Sequence, residues 1–365
     1  MTTSDRNCFA LMVGVVIVLG AYDPSSCLGW LPMPDCPVLG PNEVAWVGLA
    51  GSRLVAVGVD GTVRMWDVQS GMASHPFKLN RYGFSATALS ISYGKAPVLV
   101  AVSEVDCEGV CDVYDLTKGT LLRRVRTGRI VAACGGMSRD GRFVYLSEVS
   151  VGGALRVDIE RKSVKSVEHN ESVVIDTIFD LGGRSFAIAT TTEVVGKDWQ
   201  GKQLWKRLLK EGEEPLPLGW DLSGIASSVV LLGRVDGKKG VRALHIVDGK
   251  EVWNEPVIPW KAVAGCSQDG RILALQEGAG SIELVTPGDN HRVKIAEVGY
   301  EVTVLFSADG KTACLIPELR EVSRDKAAHT YTLRRPSQAV VVIDVKTGKR
   351  KRTLELGTSS SGGDN

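Results

Sequence analysis

Ser138-Arg139-Asp140-Gly141-Arg142 sits between two apolar runs, and it decides how this chain is read. Asp-Gly between apolar runs marks a tight hairpin, because glycine takes the positive φ that other residues resist. The same unit returns as Ser267-Gln268-Asp269-Gly270-Arg271 and as Ser307-Ala308-Asp309-Gly310-Lys311. From Gly141 to Gly270 is 129 residues, three times 43. Gly51, Gly94, Gly183 and Gly224 fill the missing places, giving successive steps of 43, 47, 42, 41, 46 and 40. A second marker keeps the same period: an apolar residue and Asp end a strand, often with Gly four residues on. It appears as Trp66-Asp67, Tyr114-Asp115, Val157-Asp158 and Ile343-Asp344, and more loosely at Asp198, Asp248 and Asp289.

Short β-rich runs with turn residues about every ten positions, and no helical period between them, predict an all-β chain. Each unit holds four strands; in the first they are expected near 43–50, 53–60, 62–69 and 72–79. Seven such units predict a seven-bladed β-propeller of four-stranded antiparallel blades over 43–357. The segment DGTVRMWDVQSG (60–71) resembles a WD40 blade, and Ser-x-Asp-Gly-Lys/Arg is similar to WD40 and YVTN-type repeats. Gly201-Lys202-Gln203-Leu204-Trp205 and Gly249-Lys250-Glu251-Val252-Trp253 resemble the blade-end motif of quinoprotein-like (PQQ-like) propellers. No unit carries the Gly-His dipeptide of WD40 repeats, so the resemblance is to a divergent member.

The repeat also predicts packing. Six residues before each glycine stand Ala45, Ala88, Gly135, Thr177, Leu218, Ala264 and Val304, mostly small, as a crowded central channel requires. Four before it stand Val47, Ser90, Met137, Phe179, Trp220, Cys266 and Phe306, mostly apolar, as the space between blades requires. Trp205 and Trp253 share one offset and are expected to pack between blades. Both chain ends are in phase with the repeat.

Cys8 to Tyr22 is uncharged and apolar. At 15 residues it is short for a bilayer span and fits a secretory core segment, with Val18 and Gly20 placed for cleavage before Ala21. Residues 1–22 are read as a signal peptide, with an uncleaved membrane anchor through 8–22 as the alternative. Export to a periplasm, secretory lumen or exterior follows. Residues 23–42 read as a Pro-rich linker and 358–365 as a polar, disordered tail. In an oxidising compartment Cys27 with Cys36, and Cys107 with Cys111, are disulfide candidates. Cys134, Cys266 and Cys314 read as small buried hydrophobes.

Lys plus Arg number 43 and Asp plus Glu 42, so no net field favours nucleic acid. At 44% hydrophobic and 23% charged residues, the chain is neither disordered throughout nor a multi-span membrane protein. Its five His are scattered without metal spacing, and no nucleophile elbow, Walker loop or GxGxxG is present. No catalytic site, metal or cofactor is expected; Asp176 is the one obvious ionisable residue on an inner strand. The irregular connections are b–c and d–a: Lys210 to Pro217, the Cys107/Cys111 hairpin, and Pro317 to Gln338. The last has basic Arg320, Arg324, Lys326, Arg334 and Arg335 against Glu318, Glu321 and Asp325. Loops on a rigid scaffold are where binding concentrates. The candidate binding residues on this face are Tyr82, Arg129, Trp260, Tyr300, Arg324, His329, Tyr331 and Arg334. A second basic group, Lys346 with Lys349 to Arg352, reads as a solvated turn or a contact to an anionic surface. The expected function is an exported, non-catalytic platform for protein partners. The alternatives are a lactonase-like or quinoprotein-like enzyme or ligand binder, or an obligate structural subunit of an envelope assembly.

Overall fold

The computed structural model describes residues 44–58, 60–79, 86–92, 97–105, 108–128, 131–138, 140–148, 154–167, 174–180, 183–215, 225–226, 228–235, 238–256, 261–267, 269–277, 280–289, 291–295, 302–307, 309–324, 330–336 and 339–356. The architecture is all-β. In the first sheet β1 (Val44–Ala50), β2 (Arg53–Gly58), β3 (Thr62–Asp67) and β4 (Phe77–Lys78) lie side by side in chain order. The second holds β5 (Ala86–Ile91), β6 (Val98–Val105), β7 (Glu108–Asp115) and β8 (Thr120–Arg126). The third holds β9 (Val131–Met137), β10 (Phe143–Glu148), β11 (Ala154–Asp158) and β12 (Ser163–Val167). The fourth holds β13 (Val174–Asp180), β14 (Ser185–Thr190), β15 (Glu193–Asp198) and β16 (Gln203–Leu208). The fifth is built from β17 (Glu214–Pro215), β19 (Ser228–Val235), β20 (Lys238–His245) and β21 (Glu251–Pro256), while β18 (Ile225–Ala226) joins the fourth sheet. The sixth holds β22 (Lys261–Cys266), β23 (Leu273–Glu277), β24 (Ile282–Thr286) and β25 (His291–Ile295). The last holds β26 (Val302–Phe306), β27 (Thr312–Arg324), β29 (Ala339–Asp344) and β30 (Arg350–Glu355), with β28 (Thr330–Pro336) paired to β27 alone.

This corrects the expectation of a seven-bladed propeller of equivalent four-stranded antiparallel blades. Among the described residues six blades, not seven, are complete, each with an inner strand of five to seven residues. The fifth sheet has no such strand among the described residues: β17 is two residues long and pairs only Leu232 and Leu231. Pro215 ends it and Pro217 follows; proline has no N–H for a ladder. The short β18, next along the chain, pairs in parallel with Phe179 and Asp180 of β13. Gly94 and Gly224, two of the repeat glycines, lie outside the described residues.

The two sequence markers have clear physical causes. In the a–b turn the serine hydroxyl donates to the Asp carboxylate and accepts the N–H five residues on. Ser307 Oγ donates to Asp309 at 2.7 Å and accepts from Thr312 N at 3.0 Å; Ser267 repeats this with Asp269 and Ile272 at 2.7 and 2.9 Å. Gly141, Gly270 and Gly310 have φ of 77°, 72° and 66°, which the turn requires. In the c–d turn the Asp carboxylate caps the chain reversal. Asp67 accepts from the N–H groups of Gln69 and Ser70, and Asp115 from those of Thr117 and Lys118.

Apolar side chains between neighbouring sheets form the core. Between the third and fourth sheets Tyr145 stacks on Phe179 at 4.9 Å and on Trp199 at 5.4 Å, and all three are buried. Each such burial contributes roughly 1.5–3 kcal/mol. Val47, Met137, Phe179, Cys266 and Phe306 are buried, as their place in the repeat requires. The first and last sheets meet in one cluster that includes Val47, Leu54, Trp66, Leu305, Val342 and Leu354. No strand of either crosses to the other among the described residues. Among the described residues no helix is long and apolar enough to cross a membrane; residues 1–22 lie outside them.

Candidate interaction surface

The b–c hairpins differ in length. In the third, fourth and sixth sheets their strands have five or six residues. In the second and fifth sheets both strands have eight. In the last sheet β27 has 13 residues. In its first part Ala313 to Pro317 pair with β26, and Thr312 to Leu315 pair with β29. From Glu318 to Arg324 it pairs only with β28. The stretch read as an irregular insertion is therefore a two-stranded arm that continues the sheet beyond its neighbours.

The register of the arm is regular. Arg320 stands opposite Arg334, Ser323 opposite Tyr331 and Arg324 opposite Thr330. Three of the candidate residues, Arg324, Tyr331 and Arg334, are thus brought into one element. Tyr82, Arg129, Trp260, Tyr300 and His329 lie outside the described residues.

In the second long hairpin Val105 pairs with Glu108. Cys111 is opposite Val102 and fully buried beside Val100, Val113 and Leu146. Its expected partner Cys107, and the expected pair Cys27 and Cys36, lie outside the described residues. Cys266 and Cys314 are free and buried, and burial pushes each thiol up to about 12.

Beside the hairpins, ion pairs fasten strand c to strand d. Arg124 holds Asp112 with two bonds, at 2.6 and 2.7 Å, and Asp112 is 4% exposed. Lys206 pairs Glu193 at 2.5 Å and Arg292 pairs Glu283 at 3.0 Å. Between the fourth and fifth sheets, Arg207 of β16 and Arg242 of β20 converge on the buried Glu213 at 3.1 and 3.4 Å. Among the described residues no three His, Cys, Asp or Glu side chains gather in a way that could hold a metal ion. Asp176 lies on β13 opposite Ala189.

The opposite side carries a feature that reading the repeat did not pick out. A cleft of about 490 Å³ lies between the sixth and last sheets, at their a–b and c–d turns. Its walls include Ile272, Leu284, Val293 and Val345, and Lys311 and Lys346 stand among its lining. At the corresponding places elsewhere Trp205 and Trp253 dock on the next sheet. Their indole N–H groups donate to the carbonyls of Ile246 and Gly270, each at 2.6 Å. This is the inter-sheet packing expected of them. The resemblance to quinoprotein-like repeats rests on the motif alone.

No family model matches the chain. A stretch of 80 residues is 36% identical to Regulator of rDNA transcription protein 13 from Saccharomyces cerevisiae (strain ATCC 204508 / S288c). That stretch is 22% of this chain and 39% of that protein, so the chain spans well under half of the length of the curated relative it matches. Two solved structures are similar in fold. A chain of Kuenenia stuttgartiensis Hydrazine Synthase superposes with a TM-score of 0.54 at 12% identity, over 84% of this chain and 99% of that one. The β-propeller domain of Myceliophteria thermophila Cps50 (Swd1) does so with 0.53 at 14%, over 76% and 94%. These likenesses establish the β-propeller fold. One neighbour bears an enzyme's name and the other does not, and a fold of this kind hosts many functions.

Proposed function

We propose that this chain is an exported, non-catalytic β-propeller that holds protein partners through its b–c and d–a connections. The observation that carries the reading is the β27–β28 arm, whose strands from Glu318 on pair only with each other among the described residues. An extended hairpin on a rigid ring is a form suited to strand addition, and a sequence with Arg320, Arg324, Arg334 and Arg335 suits an acidic partner. The apolar run of residues 8–22 supports export, with retention as a membrane anchor as its variant.

The test is affinity capture with mass spectrometry from the native cell, comparing the full chain with a chain whose residues 318–337 are replaced by a Gly/Ser turn. Partners captured by the first and lost by the second support the platform. An identical set from both, or turnover of a substrate by the purified chain, overturns it. Export is tested separately by the N-terminal sequence of the mature protein. A start at or near Ala21 supports cleavage, and an intact Met1 in a soluble cell fraction refutes export.

A further inference from the structure

We infer that the cleft between the sixth and last sheets is a binding site for a small aromatic carboxylate with a ring N–H donor, an indole-type acid. The argument starts from the repeat. In the junction between the fourth and fifth sheets Trp205 lies over the c–d turn glycine of the next sheet: a Cβ on Gly249 would come within 2.6 Å of its ring. In the junction between the sixth and last sheets Val293 takes that place, since a Cβ on Gly348 would come within 2.8 Å of its Cγ1. Val293 is a small apolar side chain where the junction between the fourth and fifth sheets has an indole; other junctions place Phe77 over Gly119 and Arg352 over Gly71. The cleft of about 490 Å³ is the space this exchange leaves open.

The acceptors that indoles use in the sibling junctions are represented here. Ile246 is the residue just after the one whose carbonyl closes the c–d turn on Gly249, and Val345 holds the same position relative to Gly348. Gly270 and Gly310 are the a–b turn glycines of their sheets. Trp205 donates to Ile246 and Trp253 to Gly270. Val345 and Gly310 both line the cleft, and Val293 has no donor to offer either. A flat ring with an N–H fits this chemistry, with Ile272, Leu284 and Val293 as apolar walls.

The charge at the rim supplies the rest. Lys311 and Lys346 are exposed and line the opening. The one carboxylate of the lining, Asp344, is engaged by its own turn: it accepts from the N–H and hydroxyl of Thr347, and Lys351 Nζ lies 3.2 Å away. The mouth therefore has cations to spare for a ligand's carboxylate. This inference does not depend on the arm of the last sheet, which lies on the b–c side.

The test is calorimetric titration of the full chain with indole-3-acetate, with indole and phenylacetate as partial probes. We expect binding with a Kd of about 1 mM or tighter for indole-3-acetate, and at least roughly tenfold weaker binding for each partial probe. Lys311→Glu/Lys346→Glu, at two exposed positions that leave folding intact, should weaken binding at least about tenfold. Val293→Trp should close the cleft with the repeat's own side chain, abolish binding and raise the melting temperature. No binding of indole-3-acetate at about 10 mM, or an unchanged Kd in the double-lysine variant, overturns the inference.

Discussion

The indole N–H of Trp205 donates to the carbonyl of Ile246, 41 residues further along the chain, at 2.6 Å. One bond thus ties the outer strand of the fourth sheet to the c–d turn of the fifth, just past the end of β20. Trp205→Phe keeps most of the apolar contact and removes the donor, so it should cost about 1 kcal/mol. Trp205→Ala also empties the junction and should cost about 3 kcal/mol, at the low end for a large-to-small change because the ring is only partly buried. Denaturant unfolding of the two variants measures the difference.

The fastening of Asp112 by Arg124 is the most buried of the c–d ion pairs. Arg124→Ala leaves the carboxylate inside without its guanidinium and should cost about 2 kcal/mol, less than a fully buried pair because Arg124 is partly exposed. Asp112→Asn with Arg124→Gln should recover part of that loss. A double-mutant cycle by denaturant unfolding reads it.

Acid should loosen the turns before the sheets. The hydroxyl of Ser307 and the N–H of Lys311 hold Asp309 below the usual carboxylate value, Thr347 and Lys351 do so for Asp344, and Arg142 does so for Asp158. A carboxylate whose folded pKa is depressed adds stability above its unfolded pKa and loses it as pH falls through the folded one. Stability should therefore be level above about pH 5 and fall steadily below about pH 4. In Asp309→Asn the fall should be shallower, by melting temperature against pH. An unchanged slope would detach Asp309 from the effect.

Cys111, Cys266 and Cys314 should behave as sealed thiols. With the latter two pushed up to about 12 and all three buried, none should react with maleimide at pH 8 in the native state. All three should react on unfolding. A non-reducing peptide map should show no link between Cys107 and Cys111.

The legible part of the fold was what the repeat writes locally. Ser-x-Asp-Gly announced the a–b turns because serine, aspartate and glycine each have a fixed task there, and the strand-ending aspartates announced the c–d turns for the same reason. The fifth sheet was less legible: Gly224 kept the period, while the described part of its inner strand is the two residues Glu214–Pro215, with a proline that has no N–H to donate. The register of Cys111 was not legible because it depends on where the hairpin turn falls, and one residue of slip turns a side chain to the other face. The arm of the last sheet was visible as an interruption, but its β-pairing was not, since charged residues blur the alternation. The cleft needed comparison between units. Val293 looks ordinary until it is set against Trp205 and Trp253, the two indoles at the equivalent offset.

Among the described residues, the seam where the first and last sheets meet is made by side-chain contact, with no strand exchanged across it. Apart from β18, which joins the fourth sheet from beyond β17, each sheet is a continuous length of chain among those residues, so the ring has several equivalent points of entry. Cutting the chain in a connection between any two complete sheets, and joining residue 356 back to residue 44 by a linker, would break no backbone ladder. The order of the sheets around the axis would be kept, and only the position of the gap in the covalent circle would move.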